Sequence, residues 1–442
     1  MVTPNIFGIQ VEEERGPEQS IAPAGTARTA FVGRTLRGPV NRAVLIRGFA
    51  EFQHIFGGLW QPSPLGYAVE QFFDNGGREA LVVRIVNGAR PATLNLNAGD
   101  QMLAFRALHP GTREFLRASV DYDNIAADNA FEFNLTVQRV RVPGTAQVED
   151  QEIFPKLSIV PSSERYVPNV LGTSELIKLA GPIPAQRPDQ TLDSASGLAT
   201  GYCSSNADGD DGAPLTDYDL IGSEMDETGL FALHSTEYFN FLCIPPLSRD
   251  QDVGLSVLLV ASRYCKLRRA LLVIDPPAAW QTAEEALHNM RRWSFSSENA
   301  FMYFPRILAH DKLRGHFESF APCGAVAGML ARVDEAFPVG GDSQPEDPVL
   351  RLGYRPVCLV TEEKRMRLAA LGINTLHVGR SSARIDVPAR TLAGTVAGMA
   401  DTQTLAARRL ALFILNSIER GTRWVLLGTP AAEAVHLATA QV

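Results

Sequence analysis

The 442-residue chain is poor in cysteine, almost devoid of lysine, and has no long apolar run. Its five cysteines stand at 203, 243, 265, 323 and 358, and the closest pair is 22 residues apart. That spacing excludes CxxC metal or redox pairs and a dense disulfide framework. Most of them sit in apolar stretches such as 241–246 and 355–360. They read as small buried hydrophobes in a protein folded in a reducing compartment. No window approaches the ~18 unbroken apolar residues of a membrane-spanning helix. The N-terminus, MVTPNIFGIQVEEER, is acidic and lacks the apolar core of a secretory signal.

Basic charge is in deficit and lopsided in kind. Lys and Arg total 41 against 49 Asp and Glu, a net charge of -8, and only 5 of the 41 are Lys. A surface built throughout for nucleic acid is excluded, though a local basic patch is not. The arginine excess suits interfaces, because guanidinium offers a planar fork of donors. A GC-rich genome gives the same bias.

Catalytic and cofactor motifs are also missing. A phosphate cradle needs backbone N–H groups from a Gly-rich loop after a strand. Here two strong strand candidates end in Ile244-Pro245-Pro246 and Asp275-Pro276-Pro277, and proline has no N–H. No Lys follows a Gly, so there is no P-loop. The eight His form no HExxH pair. The oxygen-rich run 206–212 departs from a calcium loop at Asp211, where Gly is needed, and at Asp217, where Glu is needed. A solvated turn is the simpler reading, with a weak calcium site as the alternative. Gly254-Leu255-Ser256 lacks the second glycine of a nucleophile elbow. Asp275 closes a strand and reads as a turn or helix-start acid. Glu12, Glu13 and Glu14 read as a solvated segment. The expectation is no catalytic residues, no cofactor, no metal and no disulfide.

What is present is a folded α/β chain. With 45% hydrophobic and 20% charged residues, it has ample surface to bury. Its length suggests two to four units. The first 90 residues alternate strands with short helices that stop at Gly57-Gly58 and Gly76-Gly77. From 88 to 229 the pattern turns to period two, with Gly, Pro, Asp and Asn in the turns and looser loops at 141–152 and 181–216. From 230 onward strands alternate with helices, the mark of a largely parallel sheet covered on both faces. Thr282 and Glu285 form a capping box at one helix start. We therefore expect an α/β protein (α+β overall), with a body from 21–87 plus 230–442 and a β-rich insertion at 88–229. An extended arm at 1–20 carries Ile6, Phe7, Ile9 and Val11, a strand that cannot bury its own edge. A long helix from about 402 to 420 carries Arg408, Arg409 and Arg420 and stops at Gly421, with Arg423 just beyond. Its apolar positions Leu405, Leu412, Phe413 and Ile414 cannot all lie on one core-facing stripe, which leaves an Arg-bearing face for a partner.

These residues, taken in order, resemble contractile tail sheath proteins. Phe31-Val32-Gly33, Arg37-Gly38-Pro39-Val40-Asn41 and Phe49-Ala50-Glu51-Phe52 open the series. Phe72-Phe73-Asp74-Asn75-Gly76-Gly77, Tyr303-Phe304-Pro305, Ala321-Pro322-Cys323-Gly324 and Ser417-Ile418-Glu419-Arg420-Gly421 continue it. The similarity covers most of the chain; no single motif is specific, but the ordered set is. Two features depart from the family. Pro110-Gly111 runs into Thr112-Arg113-Glu114 where an aromatic-Gly-Asn turn is usual, and the strand-bearing tail usual after Ala431 is not in this sequence. The resemblance implies a structural subunit that stacks as hexameric rings around a tail tube and contracts without hydrolysing nucleotide. It implies self-association, contacts with tube, baseplate and tail terminator proteins, and no nucleic acid or membrane insertion. It places the protein in the tail of a virion or phage-like particle, assembled in the bacterial host cytoplasm. It also places the 402–420 helix on the inside of the cylinder, next to the tube. The competing classes are an α/β hydrolase using Asp275 and His310, and a non-polymerising adaptor.

Overall fold

A computed structural model describes residues 21–145, 147–192, 201–336, 339, 348–351, 353–378, 383–385, 389–393 and 404–422. The chain begins with β1 (Thr29–Gly33), β2 (Ala43–Ile46), α1 (Phe49–Phe56), α2 (Leu65–Asp74) and β3 (Ala80–Arg84). Strands then dominate: β4 (Thr93–Ala98), β5 (Gln101–Ala107), β6 (Leu116–Asp121), β7 (Glu132–Val140) and β8 (Val148–Ser158). After these come α3 (Val167–Leu171), β9 (Ile177–Leu179), β10 (Cys203–Ser204), α4 (Asp217–Ile221) and a 3-10 helix over Gly229–Ser235. The alternation resumes with β11 (Phe241–Cys243), α5 (Leu255–Leu267), β12 (Leu271–Ile274), α6 (Ala283–Met290) and β13 (Ala300–Phe304). The last part holds β14 (Ile307–Asp311), β15 (His316–Phe320), α7 (Cys323–Ala336), β16 (Arg355–Pro356) and α8 (Glu362–Ala370). It ends with β17 (Ile373–Val378), β18 (Ala383–Ile385) and α9 (Leu405–Thr422).

One eight-stranded sheet, ordered β18-β17-β13-β12-β11-β1-β3-β2, joins strands from both ends of the chain. Its six inner strands are parallel; β18 and β2 run antiparallel at the edges. Successive side chains alternate between two cores, as strand pleating requires. Ala30, Val32, Leu242, Leu272 and Met302 face one core with Val257 of α5, Ala286 of α6 and Leu368 of α8. Phe31, Val82, Phe241, Val273 and Phe301 face the other with Phe72 of α2, Val326 of α7 and Leu412 of α9. Burial on both faces explains why these strands read as continuous apolar runs. The capping box of Thr282 and Glu285 starts α6 as the sequence predicts.

The small residues of α7 allow it to touch α2 closely. A Cβ at Gly324 would lie 1.9 Å from the Ala68 carbonyl oxygen, and one at Gly328 would lie 2.1 Å from that of Phe72. Only hydrogen at these positions lets the two helices meet backbone to side.

Strands β4 to β10 form two antiparallel sheets, β10-β6-β7-β8 and β4-β5-β9. These share a separate core of Leu94, Phe105, Leu116, Val120, Phe133, Val137 and Leu157. Two features differ from the sequence reading. Residues 148–152, read as loop, belong to the eleven-residue edge strand β8, which pairs with β7. Most of its side chains are solvated, so the period-two apolar signal is absent. Leu215 and Leu220, assigned to the insertion by composition, pack in the core of the large sheet with Leu230.

Candidate assembly interface

The C-terminal ends of the parallel strands are filled by the protein itself. Sheet order reverses between β1 and β11, where doubly wound folds hold ligands. Here a Cβ at Gly33 would lie 2.9 Å from Leu65 Cδ1. Arg34 donates to the carbonyls of Asp211 and Gly212 at 2.9 and 2.8 Å. Asp275 accepts the Cys323 backbone N–H at 2.8 Å and so caps α7. Burial raises its carboxyl to about 6, against the pull of Cys323 and Arg306. His310 is exposed on the β14–β15 hairpin, edge-on to Phe317 at 5.7 Å. One partner of the hydrolase alternative is thus sealed under a helix, while the other stands in solvent.

The acidic run 206–212 holds loops together. Asp208 accepts from the Thr93 backbone N–H at 2.8 Å and its hydroxyl at 2.6 Å. Asp211 grips Thr112 in the same way, with both contacts at 2.8 Å. Asp210 accepts the Gly212 N–H at 2.6 Å. These carboxylates are spent on the chain's own donors. Among the described residues, no group of three His, Cys, Asp or Glu side chains is placed to hold a metal ion. All five thiols are free.

Helix α9 lies on the second core through Leu405 and Leu412. Its arginines do not form one free face. Arg409 turns inward to pair with buried Asp334 of α7, its guanidinium 5.3 Å from the Phe241 ring. Arg408 donates to Asn299 Oδ1 at 2.6 Å and lies 3.3 Å from Glu298. Arg420 is the most exposed of the three, 3.5 Å from Glu237 and stacked over Tyr238 at 4.7 Å. The solvent side is apolar instead: Ile414 and Leu415 are 46% and 49% exposed. Gly421 lies inside the helix, which continues to Thr422. Its role is to make room, because a Cβ there would meet Ile21 at 2.9 Å. The Ala24 N–H also donates to Ser417 Oγ at 2.9 Å, so the start of the described chain lies along the last turns of α9. Ile6, Phe7, Ile9, Val11 and Arg423 lie outside the described residues.

The joint between the large sheet and the smaller sheets is a site that sequence reasoning passed over. Arg84, fully buried, donates to the carbonyls of Gly38 and Pro110 at 2.7 and 2.8 Å. Burial pulls its guanidinium down to about 10, still charged at neutral pH. Arg37 pairs with Glu149 of β8 at 2.6 Å and donates to the His54 carbonyl at 2.8 Å. Arg139 pairs with Asp150, and His54 lies 3.2 Å from the same carboxylate. Beside them a cavity of about 360 Å³ is lined by Arg42, His54, His109, Arg139 and Asp150. His109 is held down at about 4 by burial and by Arg84 and Arg139. Its arginines carry no common sequence signal: Arg34 follows β1 directly, Arg37 lies four residues past its end, and Arg84 is the last residue of β3.

No family model matches the sequence, and no curated protein matches it significantly. Solved structures do match its fold. The sheath tail protein from Listeria innocua superposes with a TM-score of 0.55 at 12% identity, covering 91% of this chain and 76% of that one. The sheath tail protein from Desulfitobacterium hafniense gives 0.53 at 12% identity, over 93% and 81%. The sheath complex of the PVC extracellular contractile injection system, in its contracted state, gives 0.51 at 13% identity, over 100% and 80%. The chain has the fold of contractile sheath proteins.

Proposed function

We propose that this chain is the structural subunit of a contractile sheath, stacking as hexameric rings around a tail tube and contracting to drive the tube through a target envelope. The observation that carries this reading is fold likeness to sheath proteins over more than nine tenths of the chain at TM-scores of 0.51 to 0.55. The described residues support it by what they are used for. Asp275, Asp208 and Asp211 serve caps and loops. The energy of contraction is stored in a metastable extended lattice, not drawn from a nucleotide.

Within this reading the insertion at 88–229 lies on the outer side and α9 lies against the tube. Arg408 and Arg420 offer charge to an acidic tube surface, Ile414 and Leu415 add apolar contact, and Arg409 serves the fold. Arg423, outside the described residues, is a further candidate for the same contact. The partners are other copies of the chain, the tube, and the baseplate and tail terminator proteins, in a phage-like particle assembled in the host cytoplasm. The arm strand of Ile6, Phe7, Ile9 and Val11 augments a sheet in a neighbouring subunit. Deleting residues 1–18 tests the lattice. A folded monomer that no longer polymerises is expected; sheaths of normal length from the deletion would reject the arm's role. Size exclusion with a hydrolase screen tests the class. Polymers or rings without turnover support the sheath, and a small oligomer with turnover refutes it.

A further inference from the structure

In a chain of net charge -8, one cavity runs against the overall sign. It measures about 410 Å³ and lies at the joint between the body and the insertion, next to the cavity at Asp150, with His54 lining both. Gln53 and His54 of α1 and Arg37 of the β1–β2 connection come from the body. Arg113 ahead of β6, Arg141 just after β7 and Glu149 of β8 come from the insertion. Neither part forms the cavity alone.

The charges on this lining do not balance. Three guanidiniums stand against one carboxylate, a net +2 with His54 neutral. Glu149 is already taken by Arg37 at 2.6 Å. Arg113 and Arg141 are exposed and pair with no carboxylate among the described residues. Arg37 is the buried member, its side chain 7% exposed. It donates to the His54 carbonyl at 2.8 Å, yet its Nε–H has no partner. A buried donor left unmet costs free energy that a ligand oxygen can recover. Glu114, buried nearby, faces Arg139, Arg37 and Arg84 together and lies 3.7 Å from Arg139, so it too is spent within the joint.

We propose that this cavity binds a small multivalent oxyanion of the phosphate class, held by Arg37, Arg113 and Arg141 and bridging the insertion to the body. Guanidinium forks match phosphate oxygens two at a time, and a dianion cancels the surplus charge. The volume falls within the range of small-ligand sites, about 300–1,000 Å³. A concave site with a buried arginine suits a compact anion, whereas a nucleic-acid backbone calls for an extended basic stripe.

Isothermal titration of pyrophosphate into the full chain at fixed ionic strength is the test. Saturable binding at a single site per chain is expected. The melting temperature should climb with added pyrophosphate, because a ligand of the folded state stabilises it by mass action. R113Q/R141Q removes two exposed, unpaired arginines and should melt like the parent without ligand. Its pyrophosphate affinity should fall about tenfold or more, since charge-assisted bonds are lost. R291Q/R292Q removes the same charge from exposed positions just after α6 and should bind as the parent does. Unchanged binding by R113Q/R141Q, or equal weakening by both variants, overturns the site. No saturable binding by the parent also overturns it, as does tighter binding of a glutamate-rich peptide than of pyrophosphate.

Discussion

Arg409 of α9 and Asp334 of α7 form an ion pair within the subunit, their side chains 12% and 5% exposed. The pair locks the long helix to the α2–α7 layer, so one of the helix's three described arginines serves the fold. Removing one partner of a buried pair strands the other charge and costs about 3–5 kcal/mol. Arg409→Ala should therefore lower the denaturation midpoint sharply. The double variant Arg409→Met with Asp334→Leu should recover most of the loss. Urea titrations of the three proteins check both outcomes.

Arg420 is the more exposed of the two candidate tube contacts, and its reversal should separate binding from folding. Arg420→Glu is expected to leave the melting transition within a few degrees of the parent and to weaken decoration of tubes strongly, whereas Arg408→Glu also loses the bond to buried Asn299 and should lower the melting transition. Raised salt should weaken tube binding by the parent in the same assay, because exposed charges are screened. Each contact contributes only ~0–1 kcal/mol, so the effect depends on many subunits adding up.

Gly328→Ala places a methyl carbon 2.1 Å from the Phe72 carbonyl oxygen, closer than any van der Waals contact permits. The α2–α7 layer must open to admit it. Overpacking of this kind costs about 1–3 kcal/mol. A lowered denaturant midpoint with an unchanged slope is expected.

Two half-buried groups make stability depend on pH with opposite signs. Asp275 has its carboxyl raised to about 6 from 3.8. Its contribution is full below the unfolded value, falls as pH rises to about 6, and is constant beyond. Asp275→Asn keeps the acceptor for the Cys323 N–H and should stabilise the protein above pH 6 by on the order of 3 kcal/mol. His109 is depressed to about 4 from 6.5. Its contribution is full above 6.5 and is lost as pH falls towards 4. Relative to the parent, the Asp275→Asn variant should therefore lose stability more steeply from pH 6.5 to 4 and the His109→Gln variant less steeply; Glu70 and Glu114, whose carboxyls burial also raises, act alike in both. Chemical denaturation from pH 4 to 8 reads both slopes.

Elements whose side chains face two ways or none were the ones sequence reading handled unevenly. The parallel strands and α2, α5, α6 and α7 were legible, because each buries a continuous run or a stripe. Helix α8 was not, because its sequence EEKRMRLAA is polar almost all round and only Leu368 is buried. The β14–β15 hairpin was missed because its second strand, HFESF, buries only Phe320. The α9 expectation placed the helix correctly but gave its arginines one direction. Helical spacing cannot reveal that Asp334, 75 residues earlier, draws Arg409 inward. The joint at Arg37 and Arg84 was invisible for the same reason: its partners, Glu149 and the Pro110 carbonyl, lie far along the chain.

Electron microscopy of the purified full chain, alone and with its tube protein, tests the sheath assignment most directly. The account predicts striated cylinders built of stacked six-fold rings, wider and shorter after contraction. A monodisperse small oligomer that neither stacks nor coats tubes would contradict it.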